Sequence, residues 1–129
     1  MKKLLSCVAV AFMLVACGSD TPDVVAKNFT KAMNEGEIEK AFKYVYFKSE
    51  DEKQKNLKGL MENIDEIKQS IKEANAKTGG IKSIEASILN QIDNLAKVKI
   101  TATSKNGEVN SREQSLIKVN DTWYIEYGK

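Results

Sequence analysis

The sequence predicts an α+β fold in which three N-terminal helices pack on a four-stranded antiparallel meander. Apolar residues recur every three or four positions as far as Gly79, and at every second position from Ile81 onward. Two tight-turn signals, Asn106–Gly107 and Asn120–Asp121, separate the later alternating segments. Because such a sheet carries one apolar face, the preceding helices are expected to cover it.

Two helices are predicted first. Thr21 is expected to cap the first helix with its hydroxyl, Pro22 fits the first helical position, and Gly36 can end the helix in a left-handed conformation. A second helix follows from Glu37. The apolar faces are predicted to hold Val25, Phe29, Ala32 and Met33 in the first helix, and Ile38, Ala41, Phe42 and Val45 in the second.

The third predicted helix is longer and ends before Gly79. Ser49 and Glu52 have the spacing of a capping box at its start. Its apolar positions are Leu57, Leu60, Ile64, Ile67, Ile71 and Ala74. We expect this face to point into the core. The alternative is an oligomerisation seam, but the pattern is shorter than the roughly three to four heptads that coiled coils usually sustain.

Four strands are predicted after the helices. Alternating apolar residues are Ile84, Ala86 and Ile88 in the first strand and Val98, Ile100 and Ala102 in the second. The third strand is predicted over Val109–Val119 and the last over Thr122–Tyr127. One face of the last strand is expected to carry Trp123, Ile125 and Tyr127.

The N-terminal residues have the pattern of a secretory signal. Lys2 and Lys3 precede an apolar run from Leu4 to Ala16. The run has about 13 residues, whereas a membrane-spanning helix needs roughly 20. We therefore expect a cleaved signal peptide at residues 1–16 rather than a permanent transmembrane anchor.

The end of this run, Leu14-Val15-Ala16-Cys17, resembles the lipobox of bacterial lipoproteins. The resemblance implies that diacylglycerol is attached to the sulfur of Cys17, that cleavage occurs between Ala16 and Cys17, and that the new amino group is acylated. The alternative is that Cys17 is an ordinary apolar residue or an unreacted thiol. Residues 17–20 would then be a lipidated N-terminus with a short tether, followed by a folded domain at 21–129.

Processing would also change the charge and the cysteine content. The chain has 20 basic and 18 acidic side chains, and loss of Lys2 and Lys3 leaves 18 of each. A neutral domain argues against nucleic acid as a partner and against a polybasic membrane-binding face. Cys7 leaves with the signal, and the chain has no histidine, so neither a metal site nor another cofactor is expected.

Two segments carry a further resemblance: Met33–Ala41, which joins the first two helices, and Asp121–Ile125 near the C-terminus. With the order of helices and strands, they resemble small bacterial lipoproteins with a nuclear-transport-factor-2-like (cystatin-like) domain of unknown function. The resemblance implies a cone-shaped domain in which a long helix is cradled by a curved four-stranded sheet, with a pocket at the open end. We expect any cavity between the third helix and the sheet.

These features predict a membrane-anchored envelope lipoprotein that is not an enzyme and that binds a small ligand or another envelope protein. Its partner would be the membrane, through the lipid on Cys17. Gly18 implies, by the resemblance to lipoproteins, the outer membrane if the cell has one, with its periplasmic face the expected side. The oligomeric state and the ligand stay open.

Two alternatives remain for the function. The first is a pocket enzyme of the isomerase or hydrolase kind that uses a buried carboxylate and a tyrosine. Its candidates by residue type are Tyr44, Tyr46, Asp93, Glu113 and Glu126. The second is a structural or inhibitory interaction protein that presents a strand edge or an aromatic patch. That patch would comprise Trp123, Tyr124 and Tyr127.

Overall fold

The computed structural model describes residues 20–126. The helices are α1 (Pro22–Asn34), α2 (Ile38–Phe42), α3 (Glu50–Glu62) and α4 (Ile64–Thr78), and the strands are β1 (Ile81–Ile92), β2 (Leu95–Ser104), β3 (Val109–Val119) and β4 (Thr122–Ile125). The strands form one antiparallel sheet in the order β1-β2-β3-β4. The predicted α+β class and the four-stranded meander are therefore confirmed. The signal peptide, Ala16, Cys17 and Tyr127 lie outside the described residues.

The hydrophobic core lies between α1 and one face of the sheet, which we call the inner face. The helices α1 and α2 contribute Val25, Ala26, Phe29, Ala32 and Ala41 to the core. The segment after α2 adds Val45. The inner face contributes Ala96, Val98, Ile100, Leu116, Trp123 and Ile125. Ala26 and Ala32 are small, so the α1 backbone can approach the sheet closely. The helix that the sheet holds is thus the first helix and not the third.

The predicted third helix is two helices, α3 and α4, that meet at Asn63. The backbone of Asn63 leaves the helical region, with φ −114° and ψ 11°. Its side-chain amide donates to the carbonyl of Gly59 at 3.0 Å, a local hydrogen bond that competes with the helical ladder. A glycine one turn earlier weakens the helix further. The expectation of a single long helix was wrong at this position.

The apolar face of α3 and α4 does not enter the core. Neither helix has a buried residue, and five of the predicted positions are only half-buried while Ala74 is exposed. Those five are Leu57, Leu60, Ile64, Ile67 and Ile71. Because α1 already covers the inner face, these two helices lie beside the domain, and the core-facing prediction was wrong.

Only some of the predicted helix caps are present in the structure. Gly36 has a positive φ of 79° after α1, as expected of a helix stop. The Ser49 hydroxyl accepts from the amide of Glu52 at 3.1 Å, which is half of a capping box, but the Glu52 carboxylate accepts from the amide of Lys48 instead of Ser49. Thr21 precedes α1 without a side-chain capping bond, so that prediction was wrong.

The chain turns at both predicted positions, but the two-residue hairpin predicted at Asn106–Gly107 was wrong. Asn120 and Asp121 have φ values of 52° and 64°, which is the geometry of a two-residue type I′ hairpin. The other hairpin is longer than two residues, because Lys105 to Glu108 separate the paired strands and only Gly107 has a positive φ. Among residues 20–126, no helix is long and apolar enough to span a membrane.

Candidate functional site

A cavity of about 390 Å³ lies between α1 and the inner face of the sheet, and we call it the inner chamber. It is not where a cavity was expected, because α1 rather than the third predicted helix forms its wall. Its apolar lining is Phe29, Met33, Ile81, Ile100 and Ala102, and its polar lining is Thr30, Asn34, Asn110, Ser111 and Arg112. Half of the lining residues are apolar and half are polar, and small-molecule sites combine apolar surface with convergent polar groups.

Arg112 is the one arginine of the chain, and β3 places it on the inner face. Its Cα is paired with that of Ile100, a core residue, so the two side chains leave the sheet on the same side. One guanidinium nitrogen donates to Oε1 of Gln114 at 2.9 Å, and the other donates to Oγ1 of Thr30 at 3.3 Å. The guanidinium therefore bridges the sheet and α1 at the chamber wall.

Thr30 is fixed by a hydrogen bond of its own. It is buried, and its hydroxyl donates to the carbonyl of Ala26 at 2.8 Å. With its proton engaged there, the hydroxyl oxygen faces Arg112 as an acceptor. This arrangement holds one edge of the guanidinium by neutral groups and leaves its charge uncompensated.

No carboxylate neutralises Arg112 within the part of the chain that the structure describes. The ion pairs there join Lys40 to Glu37 and Lys97 to Glu113, and the lining of the inner chamber contains no acid. Desolvation by burial lowers the pKa of Arg112, although the side chain as a whole is exposed. A guanidinium keeps its proton in proteins, so the chamber wall carries a positive charge that lacks a counter-ion.

A second cavity of about 620 Å³ opens beside the first, and we call it the outer chamber. The two chambers share Asn34 and Ile81 in their linings. The charged residues of the outer chamber are Lys27, Lys31, Lys82 and Glu35. Together the two linings hold four cationic side chains and one anionic side chain, in a domain whose total charge is close to zero.

The far wall of the outer chamber comes from α4. The side-chain amide of Asn75 donates to the main-chain carbonyl of Asn34 at 3.2 Å and so ties α4 to the end of α1. Opposite this contact, the start of β1 lines the chamber with four consecutive residues, from Ile81 to Ile84. The chamber therefore lies where α1 ends and the sheet begins.

None of the predicted enzyme candidates lines either chamber. Asp93 lies in the turn between β1 and β2, and Glu113 pairs with Lys97 at 3.8 Å on an exposed surface. Tyr44 packs against the core, Tyr46 lies 6.3 Å from the ring of Tyr124, and Glu126 is half-buried at the end of the described residues. The structure does not bring a carboxylate and a tyrosine of this set together in a chamber.

The predicted aromatic patch is also divided. Trp123 is buried with 6% of its surface exposed, and the Nζ of Lys118 lies 5.9 Å from its ring. Tyr124 is half-buried on the other face of the sheet, because successive residues of a strand point to opposite sides. A patch that includes Trp123 as a surface residue is therefore wrong.

Arg112 was missed in the sequence, although a signal existed. It lies four residues before Leu116 in a strand, and residues an even number apart share a face. Since Leu116 belongs to the core, Arg112 has to point inward. The part of the chain from 20 to 126 contains no cluster of residues able to hold a metal ion.

The comparisons agree with this architecture. A family model described as a domain of unknown function, DUF4878, matches residues 15–126. Among solved structures, the chain is similar to a Campylobacter jejuni protein provisionally named an NTF2-like transpeptidase. The two sequences are 24% identical, and the TM-score is 0.63. The match covers 83% of this chain and 98% of that chain. No curated protein matches the chain significantly.

At 24% identity this likeness shows the fold alone, which is that of a nuclear-transport-factor-2-like domain. Since the family model covers most of the chain, including every described strand and helix, the chain belongs to the DUF4878 family of domains of unknown function.

Proposed function

We propose that this protein is a lipid-anchored envelope lipoprotein that binds a small anionic ligand with an apolar body and catalyses no reaction. The observation that carries the ligand class is Arg112, a cation with no carboxylate partner among residues 20–126, on the wall of a chamber whose other lining residues are all neutral. A carboxylate, sulfonate or phosphate of the ligand would supply the missing counter-charge through charge-assisted hydrogen bonds.

The outer chamber favours the same sign of charge. Lys27, Lys31 and Lys82 would attract an anion toward the shared opening, while Glu35 opposes them only in part. These lysines are exposed, so each should contribute less than the guanidinium and should be screened by salt. The volumes of both chambers lie in the range of small-molecule sites.

The lining of the inner chamber gives little support to catalysis. A transpeptidase, as the Campylobacter protein is provisionally named, needs a nucleophile with an adjacent base. The hydroxyl of Thr30 lies at this chamber, whereas that of Ser111 is hydrogen-bonded to the Thr101 hydroxyl on the opposite face of the sheet. The lining holds no carboxylate or lysine, and the chain has no histidine. An unneutralised cation among neutral side chains suits binding better than proton transfer.

The anchoring half of the proposal rests on the lipobox. Its last three residues, Val15, Ala16 and Cys17, fall inside the segment that the family model matches. Several acyl chains bind a bilayer far more firmly than one, so the processed protein would stay on its membrane. Gly18 after the cysteine supports the outer membrane as the location in a cell that has one.

Ligand binding can be tested with two dyes that differ only in charge. 8-Anilinonaphthalene-1-sulfonate carries a sulfonate, and N-phenyl-1-naphthylamine has the same apolar body without it. Fluorescence titration would use the mature chain with Cys17→Ser, which needs no detergent. We expect Arg112→Met to weaken the sulfonate by about tenfold or more, the effect of losing a hydrogen bond to a charged group, and to leave the neutral dye unchanged.

A matched control is Lys99→Met, which removes a positive charge from the opposite face of the sheet. Equal affinity for both dyes, or an Arg112→Met variant that binds the sulfonate like the wild type, would contradict an anion site in the chamber.

Anchoring is tested separately by labelling cells with radioactive palmitate. The wild type should take up label, and Cys17→Ser should not. Cys7→Ser is the matched control, because that cysteine leaves with the signal and its loss should change nothing. Label in Cys17→Ser, or none in the wild type, would refute the lipid anchor.

A further inference from the structure

The tip of the β1–β2 hairpin exposes large apolar side chains. Ile88, Leu89, Ile92 and Leu95 are all exposed, and Ile92 and Leu95 leave 66% and 55% of their surface open. Only three other large apolar residues in the described range are exposed, and they are scattered along the chain. Clustered exposure of this kind marks a surface that contacts an apolar partner.

Two of these residues belong to a row that crosses the whole sheet. Ile92 is paired with Leu95, Leu95 with Ile117, and Ile117 with Tyr124, so one residue of each strand takes part. Alternation places all four on the outer face, opposite the core. Strands lie about 4.8 Å apart, so this apolar row is about 15 Å long and runs at right angles to the strands.

The described chain begins at the same end of the sheet. Asp20 lines a small cleft of about 210 Å³ together with Thr122 and Tyr124, the last member of the apolar row. The turn at Asn94 lies there as well, since its carbonyl accepts from the amide of Lys118 at 2.8 Å. The N-terminal entry and the Tyr124 end of the apolar row are therefore neighbours.

We propose that the apolar row rests on the lipid bilayer to which Cys17 is attached, an inference that depends on the proposed lipid anchor. From Cys17 to Asp20 the chain advances three residues, which reach at most about 11 Å even when fully extended. An acylated Cys17 lies at the membrane surface, so Asp20 is held within that distance of the lipid, and the Tyr124 end of the row lies beside Asp20.

The short reach also decides between lipid and protein as the occupant. A helix with its side chains is about 10 Å or more across, so a folded partner has little room between the bilayer and this end of the sheet. A row that runs across the strands can meet a flat surface along its full length. The bilayer is the apolar surface that the anchor itself brings into range.

The apolar row itself carries no charge, but basic side chains flank its Tyr124 end. Lys43 lines the same cleft as Asp20 and Tyr124, and Lys48 and Lys53 line a groove with Tyr124. Anionic lipid attracts clusters of four or more basic residues, so headgroup attraction would be stronger on anionic vesicles. Contact through the apolar row alone should be the same on neutral and on anionic vesicles.

The experiment uses the processed, acylated protein in vesicles of phosphatidylcholine, with or without phosphatidylglycerol. Acylation blocks Cys17 and processing removes Cys7, so a cysteine introduced at Leu95 is the only free thiol for an environment-sensitive fluorophore. Thr103→Cys is the matched control. It lies eight residues along the same strand on the same face, about 27 Å away.

We expect the fluorophore at residue 95 to shift to the blue on reconstitution and to lose intensity with spin-labelled lipid, while the one at residue 103 does neither. The same result on both kinds of vesicle would support an apolar contact. Equal access of water-soluble quencher to both positions would overturn the inference. Protection at residue 95 that depends on protein concentration and not on lipid would also overturn it, and would indicate a second copy of the chain.

Flotation of the vesicles separates failure of this inference from failure of the proposed function. A protein that does not float with the vesicles lacks its anchor, which refutes the proposed function and the inference together. A protein that floats but keeps residue 95 in water refutes the membrane contact alone. Because Leu95 is exposed, the substitution should leave the thermal unfolding of the domain unchanged, which circular dichroism would verify.

Discussion

Replacing Arg112 by methionine should leave the fold almost as stable as before. The guanidinium makes two hydrogen bonds, of 2.9 Å to Gln114 and of 3.3 Å to Thr30, at a partly exposed position. Each such bond contributes about 0.5–1.5 kcal/mol net, and the second is long. Methionine keeps the apolar stem against the chamber wall and removes a charge whose burial is unfavourable.

These opposing contributions predict a change in the free energy of unfolding within about 1 kcal/mol, equivalent to a shift in Tm of roughly 4–8 °C or less. Urea unfolding of the Cys17→Ser mature chain, followed by circular dichroism, measures it. A loss above about 3 kcal/mol is the size seen when one partner of a buried ion pair is removed. Such a loss would mean that Arg112 is a structural tie between α1 and β3 rather than a ligand-binding group.

A double-mutant cycle with Thr30→Val makes the test more specific. That change should cost about 1 kcal/mol, because the buried hydroxyl loses its hydrogen bond to Ala26. The coupling energy between Arg112 and Thr30 should stay below about 0.5 kcal/mol if their 3.3 Å contact is weak. Strong coupling would refute the view that the guanidinium is held mainly for a ligand.

Four further substitutions test the fold. Phe29 lies in the core, so Phe29→Ala should lower the free energy of unfolding in urea by about 3–5 kcal/mol. Ile67 is half-buried on α4, so Ile67→Ala should lower it much less. Equal losses of stability would show that α4 shares the core. Ser49→Ala should weaken α3 by about 1 kcal/mol, seen as faster amide hydrogen exchange in α3 with little change in global Tm. Asp121→Gly should raise stability by up to about 1 kcal/mol, since glycine relieves the positive φ of 64°, and a lower Tm would contradict this.

The strands could be predicted because their pattern has a single physical meaning. Val98 and Ile100 alternate with Lys97 and Lys99, and a period of two puts the apolar pair on one face whatever the neighbouring strands are. The turn at Asn120–Asp121 is local as well, since both residue types tolerate positive φ.

The position of the helices could not be predicted in the same way. An apolar face shows that a helix packs against another element. It does not show which of several helices packs on the sheet. α1 has Ala26 and Ala32 at the contact and reaches the inner face, whereas α4 presents Ile67 and Ile71 and remains half-buried. The same spacing continues through Asn63, so the pattern contains no sign of the break there.

The candidate site was beyond sequence reasoning for a different reason. Strand alternation can place Arg112 inward, but the significance of that position comes from the absence of a carboxylate near it within residues 20–126. Tertiary contacts determine which acidic side chains lie close to which basic ones. Lys97 and Glu113, for example, come from two neighbouring strands. The separation of Trp123 and Tyr124 to opposite faces, by contrast, follows from the strand period alone.

The two proposals assign opposite ends of α1 to different tasks. Val25, in the first turn, shares a cleft with Asp20 at the proposed membrane end, and Asn34, the last residue, lines both chambers. Arg112 lies five residues before Ile117 of the apolar row in the same strand, which is about 17 Å, or about two Debye lengths of about 8 Å each in physiological salt. Headgroup charge should therefore not affect ligand affinity. Calorimetric titration with 1-naphthalenesulfonate should give the same Kd for the acylated protein on neutral and on anionic vesicles, after subtraction of the heats of lipid alone. A weaker Kd on anionic vesicles would mean that the chambers face the membrane, and would contradict this orientation.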